Sequence, residues 1–150
     1  VKIVATNRRA RHDFLILETY EAGLELKGSE VKSLRAGTVS LRGSYAKVEN
    51  GQVYVHDFHI TPYEKASTFV PDPSRTKRLL LNVSEIRKLY TKTQERGFTL
   101  IPLSVYFNNK GYAKMELGLC RGKKIYEKKD AIKERDIERE KQAELKGRQR

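Results

Sequence analysis

The chain has 150 residues, with 31 Lys and Arg against 19 Asp and Glu, for a formal net charge of +12 at pH 7. That length holds one domain around one core, and that charge attracts polyanions, nucleic acid first among them. A membrane surface is the rival polyanion, but the chain carries no strong amphipathic helix, lipid signal, signal-peptide core or apolar run near the ~20 residues of a membrane span, so a cytoplasmic protein is expected.

Residues 1–11 read as a short basic arm with Arg8, Arg9 and Arg11, and residues 13–20 as a strand. Ser29 to Ala36 reads as a short helix. Ser29 can cap it, Glu30 suits its positive N-terminal end, Gly37 can end it, and Val31, Leu34 and Arg35 share a face. Segments 41–49 and 52–58 flank Asn50-Gly51, the strongest short hairpin signal.

Residues 61–78 carry Pro62, Pro71 and Pro73 and read as a mobile loop with a basic end. Leu79-Leu80-Leu81 leads into a second helix over about 83–96. Asn82 and Glu85 have capping-box spacing, and Gly97 closes the helix. Val83, Ile86, Leu89, Tyr90 and Thr93 form its inward stripe. Strands over about 98–107 and 111–120 follow. Pro102 cannot donate a ladder hydrogen bond, so it marks an edge or a bulge.

Beyond Arg121 the apolar positions become too sparse to bury a helix against the body. Residues 130–146 nevertheless hold good helix formers and i, i+3 ion pairs such as Asp130 with Lys133, each worth only about 0.2–0.5 kcal/mol. The reading is a basic tail, disordered when free and helical on a partner. Residues 1–129 are then the body and 130–150 the tail. Two helices among five or more antiparallel strands indicate α+β with a small barrel. With the charge, that becomes an antiparallel β-barrel of the oligonucleotide-binding type, with about two to three flanking helices.

For catalysis the residues offer little. There is no Gly-rich phosphate loop, CxxC, HExxH or GxSxG. His56, Asp57 and His59 imitate a metal site, but alternation along a strand accounts for them, and no cofactor or metal is expected. Cys120 reads as a small packed hydrophobe, and as the only cysteine it has no disulfide partner in the chain. We expect no enzyme. Basic side chains can neutralise phosphates while aromatics stack on unpaired bases. Trp is absent, so that stacking falls to Tyr, Phe or His. Three segments qualify: Asn7 through His12, the run Arg75 to Arg78 with Lys77, and Arg121-Gly122-Lys123-Lys124 with Tyr126, Lys128 and Lys129. Three readings stay open on this basis: an RNA chaperone, a permanently rRNA-bound ribosomal or assembly protein, and an RNA-modifying enzyme or nuclease.

Longer blocks narrow the choice. Asn7 to Phe14, Tyr20 to Gly37, Ile60-Thr61-Pro62-Tyr63, Asp72 to Thr76, Leu79 to Asn82, Gly118 with Arg121 to Lys124, and Ile132 to Arg135 resemble the SsrA-binding protein (small protein B) family, in family order over nearly the whole chain. The resemblance implies a barrel of the oligonucleotide-binding type that binds the tRNA-like domain of transfer-messenger RNA. It implies delivery with elongation factor Tu–GTP to stalled ribosomes, the reaction called trans-translation, with the tail in the empty mRNA channel near the small-subunit decoding centre. The family's RNA-contact positions carry over to Asn7, Glu21, Leu80 and Lys114. His12 would face the decoding region, and Tyr126, Lys128, Lys129, Ile132, Lys133, Arg135 and Leu145 would face the ribosome.

Overall fold

A computed structural model describes residues 1–62 and 71–122. In chain order its elements are β1 (Lys2–Thr6), α1 (Arg8–Asp13), β2 (Phe14–Leu24), α2 (Gly28–Ala36), β3 (Val39–Ser40), β4 (Tyr45–Glu49), β5 (Gln52–His56), β6 (His59–Ile60), β7 (Lys77–Leu80), α3 (Val83–Thr93), β8 (Phe98–Phe107) and β9 (Ala113–Gly122). The architecture is α+β, as expected.

The large sheet runs β1-β8-β4-β5-β7-β2-β9, and β8 also pairs with β9. Strands β8, β4, β5, β7, β2 and β9 therefore form a closed ring, and every pairing is antiparallel. Strands β3 and β6 make a separate short pair. The Asn50-Gly51 hairpin is present between β4 and β5. Both turn residues take positive φ, 50° and 75°, the pairing a two-residue hairpin favours because its twist matches that of the strands.

Alternation fixes which side chains enter the ring. Ala22 pairs with Met115, Met115 pairs with Val105, and all three are fully buried. Leu117, Leu119, Leu100, Val53, Val55, Leu79 and Phe58 continue the same core. Helix α2 contributes Leu34 and α3 contributes Ile86 and Leu89. A second, smaller cluster lies outside the ring, where Ala10 of α1 covers Ile101, Leu103 and Cys120.

Of the edge or bulge expected at Pro102, the structure has the bulge: the β8–β9 register shifts between Pro102 and Ser104. Leu103, the extra residue, lies over Gly118. A Cβ on that glycine would come within 2.9 Å of Leu103 Cδ1, so a larger residue there would force the Leu103 side chain to shift.

Several expectations need correction. Residues 1–11, expected as a short basic arm, form β1 against β8 and then enter α1, which begins once Asn7 finds carbonyls to hold it. Leu79 and Leu80 belong to β7, because Leu79 alternates into the core and Leu80 out of it. Residues 41–44 turn before β4 begins at Tyr45, closed by Ser44 donating its N–H and its hydroxyl to the Leu41 carbonyl. Helix α2 starts at Gly28, so Ser29 is not its cap; the Lys27 N–H donates to Glu30 Oε1 instead, at 2.8 Å. In α3 the buried stripe centres on Ile86 and Leu89, so Val83 and Tyr90 fall at its rim and remain exposed. The helix ends at Thr93, short of Gly97. The expected mobile loop is partly described at 61–62 and 71–76; residues 63–70 lie outside the described set.

Candidate nucleic-acid interface

The outer face of the β7-β2-β9-β8 region is divided in two. Toward Cys120 it is roofed by α1; toward the other end it is open. The roof depends on Asn7. Its backbone N–H donates to the Leu103 carbonyl at 2.8 Å, and its Nδ2 donates to the Pro102 carbonyl at 3.0 Å. Its Oδ1 accepts from the Ala10 N–H at 3.2 Å, capping α1. The bulge at Pro102 thus presents the carbonyls that hold the helix. Asn7 is occupied at both ends of its amide and acts as a positioning residue.

On the open half, register places one row of side chains. Leu80 pairs with Gly23, Gly23 with Lys114, Lys114 with Tyr106, and Tyr106 with Ile3. Cross-strand partners share a face, so these residues form a band across five strands, with the Leu80 side chain packed over the buried Gly23. Leu80 is 46% exposed and Ile3 64%. Among the described residues, Lys114 has no ion-pair partner.

One row further along lie Glu21, Glu116 and Ser104, and the Ser104 hydroxyl donates to Glu116. The Tyr106 hydroxyl donates to the Glu21 carboxylate. Partial burial and that carboxylate push the Tyr106 phenol well above its ordinary range, so it remains a donor at neutral pH. Glu21 therefore orients a tyrosine beside Lys114. This gives a carboxylate a reason to sit at a basic surface.

The second expected segment serves the fold. Arg75 makes a two-point pair with the buried Glu30, through Nη2 at 2.5 Å and Nε at 3.3 Å. Lys77 is fully buried, and its ammonium donates to the Phe58 carbonyl at 2.6 Å and the Pro73 carbonyl at 3.2 Å. Burial pushes it down to about 8. The expectation that Lys77 contacts RNA is corrected on this ground: alternation along β7 turns it inward, beside Leu79. Arg78 points outward and pairs with Glu25 at 2.6 Å.

Helix α1 carries exposed Arg8, Arg9, Arg11 and His12, with Arg9 and His12 both close to Asp13. Two adjoining grooves of about 360 and 310 Å³ separate α1 from the 40–44 turn. Both are lined by Arg9 and Arg42. Nearby, the Tyr45 and His56 rings stack at 5.1 Å, 15° from parallel, with Lys47 over Tyr45. Arg42 was missed in the sequence because its segment looks like strand. Tyr106 was legible in principle, since counting back through the Asn108–Gly111 turn sets it opposite Lys114.

Arg121 is half-buried, with its guanidinium 4.6 Å from the Phe98 ring centroid. Lys123, Lys124, Tyr126, Lys128, Lys129, Ile132, Lys133, Arg135 and Leu145 lie outside the described residues. Cys120 is fully buried, and burial raises its thiol to about 11. His56 is engaged by Glu49 and Thr76, His59 by Ser74. Among the described residues, no three His, Cys, Asp or Glu side chains gather to hold a metal, and no helix is long and apolar enough to cross a membrane.

These features define a class: a small basic α+β protein with a closed antiparallel sheet, one open outer face and an arginine-bearing helix beside it. Comparison with known proteins places it further. The chain belongs to the SmpB protein family, which it matches over residues 4–147. It is 53% identical to the SsrA-binding protein of Moorella thermoacetica, spanning 100% of this chain and 97% of that one. It is 54% identical to the SsrA-binding protein of Pelotomaculum thermopropionicum, with the same coverage. A solved chain described as "tmRNA-SmpB: a journey to the center of the bacterial ribosome" is 54% identical, with a TM-score of 0.68 over 81% of this chain and 85% of that one.

Proposed function

We propose that this protein binds the tRNA-like domain of transfer-messenger RNA on its open outer face and delivers it, with elongation factor Tu–GTP, to stalled ribosomes for trans-translation. It acts in the cytoplasm and catalyses no reaction itself. The closed ring is of the oligonucleotide-binding type, a fold that presents RNA with a sheet face. The observation that carries this reading is the row Leu80–Gly23–Lys114–Tyr106. It offers an apolar surface for a sugar or unstacked base, an ammonium for a phosphate and an oriented phenol. Family membership supports it, because three of the four RNA-contact positions implied by the resemblance, Glu21, Leu80 and Lys114, lie in or beside this row.

The α1 surface, with Arg8, Arg9, Arg11, His12 and Arg42, is assigned to ribosomal RNA near the decoding centre. Arg121, Lys123 and Lys124 continue the basic surface toward the tail. Tyr126, Lys128, Lys129, Ile132, Lys133, Arg135 and Leu145 are assigned to the empty mRNA channel. The experiment is truncation after residue 130. The shortened chain is expected to keep its affinity for the tRNA-like domain within about twofold, because the row is intact and few phosphate contacts are lost, while rescue of stalled ribosomes in a reconstituted system disappears. Collapse of RNA affinity instead would make the tail an RNA-binding element and overturn this division of labour.

A further inference from the structure

A cavity of about 460 Å³ between the β4–β5 hairpin tip and α3 belongs to neither surface above. It is lined by Val48, Asn50, Ile86, Arg87, Tyr90 and Thr91. Its floor is apolar, with Ile86 nearly buried and Val48 half-buried. Tyr90 stands at its wall 53% exposed, and among the described residues its hydroxyl holds no hydrogen bond. Arg87 lies one helical turn before Tyr90 on the same flank, and among the described residues it has no acidic partner.

The occupant must satisfy both chemistries. An apolar peptide would cover the floor but trap the Arg87 guanidinium without a counter-charge, which is costly. A duplex brings phosphates but keeps its bases stacked away from the tyrosine. We infer that this cavity takes a single unpaired nucleobase of RNA, stacked on Tyr90 over the Val48–Ile86 floor with its phosphate on Arg87. The Asn50 amide at the rim can donate to or accept from a base edge, so the pocket tolerates more than one base. The net charge of +12 favours the same anionic ligand.

The chain contains no tryptophan, so Tyr90→Trp installs a single fluorescent reporter in the pocket. Single-stranded hexa-adenylate is expected to quench the introduced indole, whereas duplex RNA and heparin, a polyanion without bases, are not. In otherwise unaltered protein, Tyr90→Leu is expected to weaken binding of a labelled hexanucleotide about fivefold or more, with an unchanged melting curve. Lys114→Ala is expected to leave the quenching intact, so failure of the open face and failure of this pocket are separate results. Absent quenching, equal quenching by heparin, or a signal that changes with protein concentration alone would each overturn the assignment.

Discussion

At Lys77, sequence and structure diverge through one physical fact, the two-residue period of a strand. A lysine between two exposed-looking neighbours reads as a phosphate contact, yet in β7 the core positions are Lys77 and Leu79. Its ammonium stays inside because two carbonyls receive it and the Phe58 ring lies 5.3 Å away. The burial has a pH signature. Lys77 is lowered from its ordinary 10.5 to about 8, mainly by desolvation, with Glu30 pulling the other way. Below pH 8 both folded and unfolded chains carry the proton, and the burial penalty is present in full. As pH rises from 8 toward 10.5 the folded chain releases a proton that the unfolded chain keeps, so stability increases, by at most about 1.4 kcal/mol per pH unit. Cys120, raised from 9.0 to about 11, and Tyr20, raised from 10.0 to about 12, act in the opposite sense above pH 9 and 10. Urea unfolding between pH 7.5 and 9 is therefore expected to show rising stability, and Lys77→Met is expected to flatten it. A flat profile in the unsubstituted protein would contradict this account of the buried ammonium.

For the elements, the best example is the link from β8 to α1. Pro102 cannot donate to the ladder, the strand bulges, and the Pro102 and Leu103 carbonyls become acceptors for Asn7. Asn7 then caps α1, and Ala10 closes over Cys120. Asn7→Ala is expected to cost about 1–2 kcal/mol in urea unfolding, through loss of the cap and of a carbonyl's partner. Asn7→Asp, which keeps the capping oxygen, is expected to recover part of it. Unchanged stability with lost RNA affinity would instead make Asn7 a direct contact. An edge or a bulge was legible from Pro102 alone, but what the bulge holds was not, because Asn7 and Pro102 meet only in the fold. Helix α3 shows the same limit. Its capping box was legible from Asn82 and Glu85, whereas the direction of its buried stripe depends on how it meets the barrel. That rotation left Val83 and Tyr90 at the rim.

Across the whole molecule, the charge of +12 and the alternation of the long strands made an antiparallel, polyanion-binding body legible. The location of the proposed binding surface was harder to read. Lys114, Tyr106, Gly23 and Leu80 come from four separate segments, and only strand register brings them into one row. Basic runs were the more obvious signal, yet Arg75 and Lys77 hold the 71–77 segment to the core, while Lys114, without an ion-pair partner among the described residues, faces outward. The most direct test is the affinity of the unsubstituted protein and of Lys114→Ala for an isolated tRNA-like domain of transfer-messenger RNA, against ordinary tRNA and duplex RNA, across several salt concentrations. The account predicts preferential binding of the tRNA-like domain that survives moderate salt. It also predicts that Lys114→Ala, with an unchanged melting curve, weakens this binding and lowers its salt slope by about one ion. Equal, weak binding to all three RNAs that vanishes together as salt rises, unaffected by Lys114→Ala, would contradict it.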